Sequence, residues 1–207
     1  MTDTYLRASA GTMVVAMILI VAVGLALIGM GCYIKALNVR IDRLEAKIKA
    51  YDARLDNAEE VFDQAQEIKA YILRSAKYTP RQATEIAYQI IFVAKMEGVD
   101  PKLLAGMAKQ ESEFNPAAVG KLNERGLVQV RPTTFSEWHA GSLLDWRATL
   151  EAGARYLSHC LSRFHNERLA IAAYNAGPNR PPARILELSS RYAGRIIANR
   201  RAIGEVR

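Results

Sequence analysis

The 207-residue sequence predicts an all-α protein made of a membrane-spanning helix, a coiled-coil stalk and a helical globular domain. Three observations carry this. Residues 13–34 hold no charged side chain, and the stretch after them spaces its apolar residues alternately three and four apart. From residue 79 onward, helix-start signals precede apolar faces of helical period, and strand alternation is nowhere sustained. Composition narrows the field further. With 50% hydrophobic residues the chain is too apolar to be mainly disordered, and ~100–200 residues per domain allows one globular domain plus an accessory segment. Only two Cys are present, one inside the apolar run and one far from it, so a disulfide scaffold is excluded. The sequence has no CxxC, no paired-His spacing and no Gly-rich phosphate loop, so no metal or nucleotide cofactor is expected.

A short tail, residues 1–12, precedes the run Met13–Ile34. At ~1.5 Å per residue the run just spans a ~30 Å hydrocarbon core, and a membrane helix is its first reading. The alternatives are a fully buried core helix and a signal peptide, whose apolar region is normally only ~7–15 residues. A third is a lipid-modified Cys32 after Gly29-Met30-Gly31. One Arg precedes the run, whereas Lys35, Arg40, Arg43, Lys47, Lys49 and Arg54 follow it, which by the positive-inside rule holds the following segment in the cytoplasm.

Ile34, Leu37, Ile41, Leu44, Ile48, Tyr51, Leu55, Ala58 and Phe62 form a heptad seam, with charges between them. Residues 35–77 are therefore expected to be a self-associating stalk, or otherwise a single amphipathic helix lying on a neighbour. No Pro or Gly interrupts Lys35–Thr79 before the globular domain at 78–207.

In that domain Thr79-Pro80-Arg81-Gln82 starts a helix that Gly98 ends, and Asp100-Pro101 starts the next. A loop is expected from Asn115 to about Ser142. Asp145 caps a helix with Trp146, Leu150, Gly153, Leu157, Leu161 and Phe164 on one stripe. A short helix runs from Glu167 to Ala176, and a basic one from about Ser190.

One residue looks chemical. Glu111 follows Leu104 and Ala108 at i+7 and i+3, on the apolar face of its helix and in its last turn. Burial and the negative end of the helix dipole both favour the neutral carboxyl, which is what a general acid needs. Swinging out to solvent from a frayed helix end is the competing reading.

Three ordered segments bear on this choice: Gln110-Glu111-Ser112-Glu113-Phe114-Asn115-Pro116-Ala117-Ala118-Val119, Gly126-Leu127-Val128-Gln129-Val130-Arg131-Pro132-Thr133-Thr134, and Ala173-Tyr174-Asn175-Ala176-Gly177. Together they resemble the soluble lytic transglycosylase (SLT, goose-lysozyme-like) family, whose patterns are E-S-x-F-N-P-x-A-V-S, G-L-M-Q-x-x-P-x-T and A-Y-N-A-G. Leu150, Gly153, Tyr156 and Leu157 resemble a further family helix. The resemblance implies a lysozyme-like helical domain. It also implies non-hydrolytic cleavage of the β-1,4 bond between N-acetylmuramic acid and N-acetylglucosamine in peptidoglycan, leaving a 1,6-anhydro end. On this resemblance Glu111 is the sole acid and base, Ser112 supports the carboxyl or a sugar, and Gln129 binds an N-acetyl group. Tyr174 places its hydroxyl near the acid, Asn175 is its structural or sugar-binding neighbour, and Tyr192 matches a Tyr near the family's C-terminus.

The sequence also departs from the family pattern. Val128 stands for Met, Gly120 for Ser, Asn123 for Gly and Glu124 for a small residue. A second carboxylate at Glu124 would open a hydrolytic, lysozyme-type route; a non-catalytic wall-binding protein is the third alternative. Residues 79–207 hold 18 Lys+Arg against 12 Asp+Glu, a balance suited to anionic peptidoglycan, and no aromatic-interleaved basic motif suggests nucleic acid. The expected partners are glycan strands, the membrane through Met13–Ile34, a second copy through the stalk, and other virion or envelope-complex proteins. A wall-cutting domain works in the periplasm, against the flanking charges. An envelope-spanning machine, or a bacteriophage virion protein delivered during genome entry, would reconcile the two.

Overall fold

The structure, a computed structural model, describes residues 2–75 and 77–205, and side chains from Met13 onward. Of the tail at 1–12, Met1 lies outside the described residues. Among the described residues seven helices follow in order: α1 (Thr2–Ser75), α2 (Pro80–Glu97), α3 (Pro101–Ser112), α4 (Pro132–Trp138), α5 (Trp146–Phe164), α6 (Glu167–Ala176) and α7 (Pro182–Gly204). Among the described residues the only β pairings are isolated bridges, Val119 with Arg125 and Arg125 with Val130. The all-α expectation holds. The chain divides into two units, Met1–Asn57 and Ala58–Arg207.

The first unit is helix throughout its described length. Its best 18-residue window has a mean hydropathy of 2.9 and no buried residue, a helix long and apolar enough to cross a membrane. Heptad residues Leu37, Ile41, Leu44, Ile48, Tyr51 and Leu55 are all exposed in the single chain.

The second unit begins twenty residues before the expected boundary at 78. Ala65, Ile68, Tyr71 and Ile72, within the expected stalk, are buried in the globular core, while Phe62 on the expected seam is 52% exposed. Spacing of four, three and four residues between Val61, Ala65, Ile68 and Ile72 satisfies a partner helix in the same chain as well as one in a second chain. Periodicity alone therefore does not say where the stalk stops.

Local signals set the helix starts. Thr79 and Gln82 close a reciprocal capping box on α2, with Pro80 at its first turn, and Gly98 ends it at φ 67°. Asp100 caps α3 through the amides of Lys102 and Leu103, and Asp145 caps α5 through that of Arg147. Two starts differ from expectation. Pro132 opens the short α4 inside the expected loop, and Pro182 starts α7 eight residues before Ser190. In both cases proline presets the helical φ and gives up an amide that has no helical partner at that position.

Leu103 to Ala108 of α3 are all buried, which makes α3 the central helix. It meets α7 backbone to backbone at Gly106, where a Cβ would lie 3.0 Å from the Ile196 carbonyl oxygen and 3.1 Å from the Arg200 nitrogen. Asn199 of α7 donates to the Gly106 carbonyl at 3.2 Å. This close crossing brings the C-terminal helix beside the end of α3.

Candidate active site

Glu111 sits in the last turn of α3, where the chain must turn sharply. Glu113 and Phe114 both adopt left-handed backbone, at φ 52° and 65°, and Phe114 is fully buried. The Phe114 amide reaches back to the Ala108 carbonyl at 3.2 Å, closing the helix end. Ser112 donates its hydroxyl to the Leu127 carbonyl at 2.8 Å and so fastens this turn to the Gly126–Val130 loop.

The loop is built on backbone bonds. Arg125 and Val130 exchange amide–carbonyl bonds at 3.0 Å, and the Gly126 amide donates to Ala118 at 3.1 Å. Gln129, at φ 47°, donates its side-chain amide to the carbonyls of Ala118 at 3.2 Å and Gly126 at 3.0 Å. Beneath the loop passes α5. A Cβ on Gly153 would overlap the Val128 side chain and lie 3.0 Å from the Tyr174 hydroxyl, so only glycine permits this approach.

Between these parts opens a cleft of about 340 Å³ lined by Glu111, Glu124, Gln129, Arg131, Tyr174 and Asn175, among others. Burial pushes the Glu111 carboxyl above its ordinary range. The hydrogen bond from Tyr192 pulls it down, the Glu124 charge raises it, and Arg195 lowers it. The Tyr192 hydroxyl donates to Glu111 Oε1 in a short contact. Burial lifts the phenol of Tyr192 well above 10, so it stays a donor.

The sequence-derived residues therefore divide. Glu111, Gln129, Tyr174 and Asn175 face the cleft. Ser112 acts below it as a tie between helix and loop. Tyr174 donates to the Val128 carbonyl at 3.0 Å, and Asn175 donates to the Ser189 hydroxyl at 2.9 Å, joining α6 to α7. Tyr192 donates directly to the Glu111 carboxyl.

The structure adds Tyr156 to the cleft wall, with Trp138 packed behind it, and an ion pair. The Tyr156 ring lies 5.1 Å from that of Tyr174 and 5.9 Å from that of Trp138. Tyr156 was visible only as part of a helix motif, and Trp138 not at all. Glu124 shares the cleft, accepts from the Leu122 amide at 2.9 Å and pairs with Arg131 at 3.5 Å. A Cβ on Gly120 would overlap its Oε2, so the glycine at 120 and the glutamate at 124 are one arrangement. Among the described residues no three His, Cys, Asp or Glu side chains are grouped to hold a metal ion.

Residues 88–187, within the globular unit, match the family model described as Transglycosylase SLT domain. The chain is 36% identical over 91 residues to a membrane-bound lytic murein transglycosylase F of Alkalilimnicola ehrlichii, covering 41% of this chain and 18% of that one. It is 32% identical over 108 residues to the soluble lytic murein transglycosylase of Salmonella typhimurium, covering 46% and 17%. It thus spans under a fifth of the length of either relative. A crystal structure of the 70 kDa soluble lytic transglycosylase of Escherichia coli is also similar, at 23% identity and a TM-score of 0.49 over 56% of this chain and 23% of that one.

Proposed function

We propose that this protein is a peptidoglycan lytic transglycosylase whose acid and base is Glu111. The observation that carries the reading is a half-buried carboxyl on the wall of a sugar-sized cleft, biased to its protonated form by burial and oriented by one phenol. A proton from Glu111 passes to the glycosidic oxygen as the muramic C1–O bond breaks, and the N-acetylglucosamine leaves with a free 4-hydroxyl. The resulting carboxylate takes the proton of the muramic 6-hydroxyl as that oxygen bonds to C1. No water is consumed, and Glu111 ends as it began. Tyr192 holds Oε1, which leaves Oε2 for the reacting oxygens. Gln129, braced by two loop carbonyls, and Asn175 are the polar groups offered to the N-acetyl sugars, with Tyr174 and Tyr156 as the wall behind them.

Product analysis on purified peptidoglycan tests this with the full chain beside Glu111→Gln. Anhydro-ended muropeptides that vanish in the variant are the expected result; anhydro ends that persist in the variant exclude Glu111 as the acid. A second reading, hydrolysis, is favoured by one observation, that Glu124 lines the same cleft. It would yield reducing ends that depend on Glu124.

For the setting, Met13–Ile34 serves as the membrane anchor and the exposed heptad face of residues 35–57 as a self-association seam. The catalytic unit then acts on the periplasmic wall. Local wall opening for an envelope machine or for phage genome entry both fit; detection in purified virions separates them.

A further inference from the structure

The turn that carries Glu111 does not hold its own shape. Two consecutive non-glycine residues, Glu113 and Phe114, sit in left-handed backbone directly after it. Such conformations persist only where the surroundings over-determine them, and they are disfavoured most for bulky side chains. Besides the Ser112 tie to Leu127, the groups that brace this turn come from the end of α1 and the link after it. The Tyr71 ring meets the Phe114 ring edge-on at 6.0 Å, and the Tyr78 hydroxyl donates to the Phe114 carbonyl at 3.1 Å. Tyr71 is itself held by Asn199 of α7 at 3.3 Å. Lys109 of α3 donates to the Ser75 carbonyl at 3.2 Å, and Lys102 pairs with Glu67 at 2.5 Å. Ile68 and Ile72 are fully buried under these contacts.

We propose that Tyr71 and Tyr78 are positioning residues for Glu111, and that residues 58–78 are a working part of the catalytic unit rather than a spacer. Both tyrosines lie before residue 88, outside the segment that matches the transglycosylase family model. They act through Phe114: its ring is clamped by Tyr71, its carbonyl by Tyr78, and its amide by Ala108. Three residues earlier, Glu111 is thereby held at the distance where Tyr192 reaches Oε1. Releasing either clamp lets the turn relax and moves the carboxyl relative to both Tyr192 and the cleft. The inference rests on Glu111 being the reacting carboxyl, as proposed above.

The test uses the full chain in detergent, with peptidoglycan turnover and a carbon-13 titration of the Glu111 carboxyl as separate readouts. Tyr78→Phe removes one hydrogen bond and keeps the ring. A displaced catalytic group costs up to about 100-fold, so kcat should fall about 10-fold with KM within about 2-fold. The Glu111 titration should shift, and the melting temperature should stay within about 3 °C. Tyr71→Leu should act the same way, and Tyr71→Phe, which restores the ring edge, should recover most of the loss. Asp63→Ala, on the exposed side of the same helix, should leave kcat unchanged. Unchanged kcat and titration in both Tyr78→Phe and Tyr71→Leu would overturn the proposal, as would loss of kcat matched only by unfolding. A wild-type chain without turnover whose Glu111 titration still moves in Tyr78→Phe would sink the enzymatic reading and keep the positioning one.

Discussion

The floor and the rim of the cleft are built on opposite plans. On the floor, Glu111, Ser112 and Tyr192 bond to one another or to the backbone, and the groups around them come from α3, α7, the Gly126–Val130 loop and the end of α1. On the rim, Glu124 and Arg131 pair loosely at 3.5 Å with the Arg side chain 56% exposed. A floor whose bonds are already made does not reorganise when charge moves, which suits a proton-transferring carboxyl. A rim whose arginine is half exposed can trade that pairing for sugar or peptide contacts at little cost.

The comparison is broken most directly at Glu111. Glu111→Gln should lower turnover by about 10³-fold or more, in the range of lost acid–base catalysis, as read by muropeptide release. The same variant should be more stable than wild type at neutral pH. Because the folded-state pKa of Glu111 is raised, the folded state favours the proton. Its contribution is fully present below the unfolded value and is lost as pH rises through the folded one. The stability gain of the Gln variant should therefore shrink toward pH 4, as melting temperatures at the two pH values will show.

Tyr192→Phe should come next, with turnover down about 10-fold from lost orientation. Its hydrogen bond lowers the Glu111 pKa, so removing it should move the limb on which Glu111 loses its proton to higher pH. A pH–rate profile decides this, and a limb that moves to lower pH would contradict the arrangement described here.

Gly120→Ser tests the rim. The added Cβ meets the Glu124 carboxylate and Gln129, and catalytic efficiency should drop several-fold. Combined with Glu124→Ala it should recover, with a coupling of about 1 kcal/mol in a double-mutant cycle. Glu124→Gln should have the smallest effect, about 2- to 3-fold at neutral pH, with the Glu111 limb moved to lower pH because a neighbouring negative charge is gone. If reducing-end products disappear in this variant, the hydrolytic share belongs to Glu124.

Much of the floor was legible beforehand, and for a local reason. Periodicity puts Glu111 on an apolar helix face but leaves it free to swing out; the resemblance of its flanking segment singles it out, and Thr79, Asp100 and Asp145 announce helix starts because a cap acts within one turn. Tyr192 is marked in the sequence only by its match to a Tyr near the family's C-terminus, since its contact with Glu111 spans 81 residues and depends on the α3–α7 crossing at Gly106. Glu124 was visible as an oddity of sequence. That its carboxylate lies where a Cβ at Gly120 would stand was not, because this depends on the backbone of the 120–124 loop and the rotamer that Glu124 takes in it.

What the sequence determined unaided is whatever repeats or caps within a turn: the uncharged run Met13–Ile34, the order and starts of α2, α3, α5 and α6, and a glutamate on the apolar face at the end of α3. The tertiary structure alone decided which part of α1 joins the globular core. Leu55 is exposed and Ile68 is fully buried, although both continue one helical apolar pattern. The reason is physical: a side chain's period records that it will be covered, and only packing decides by what.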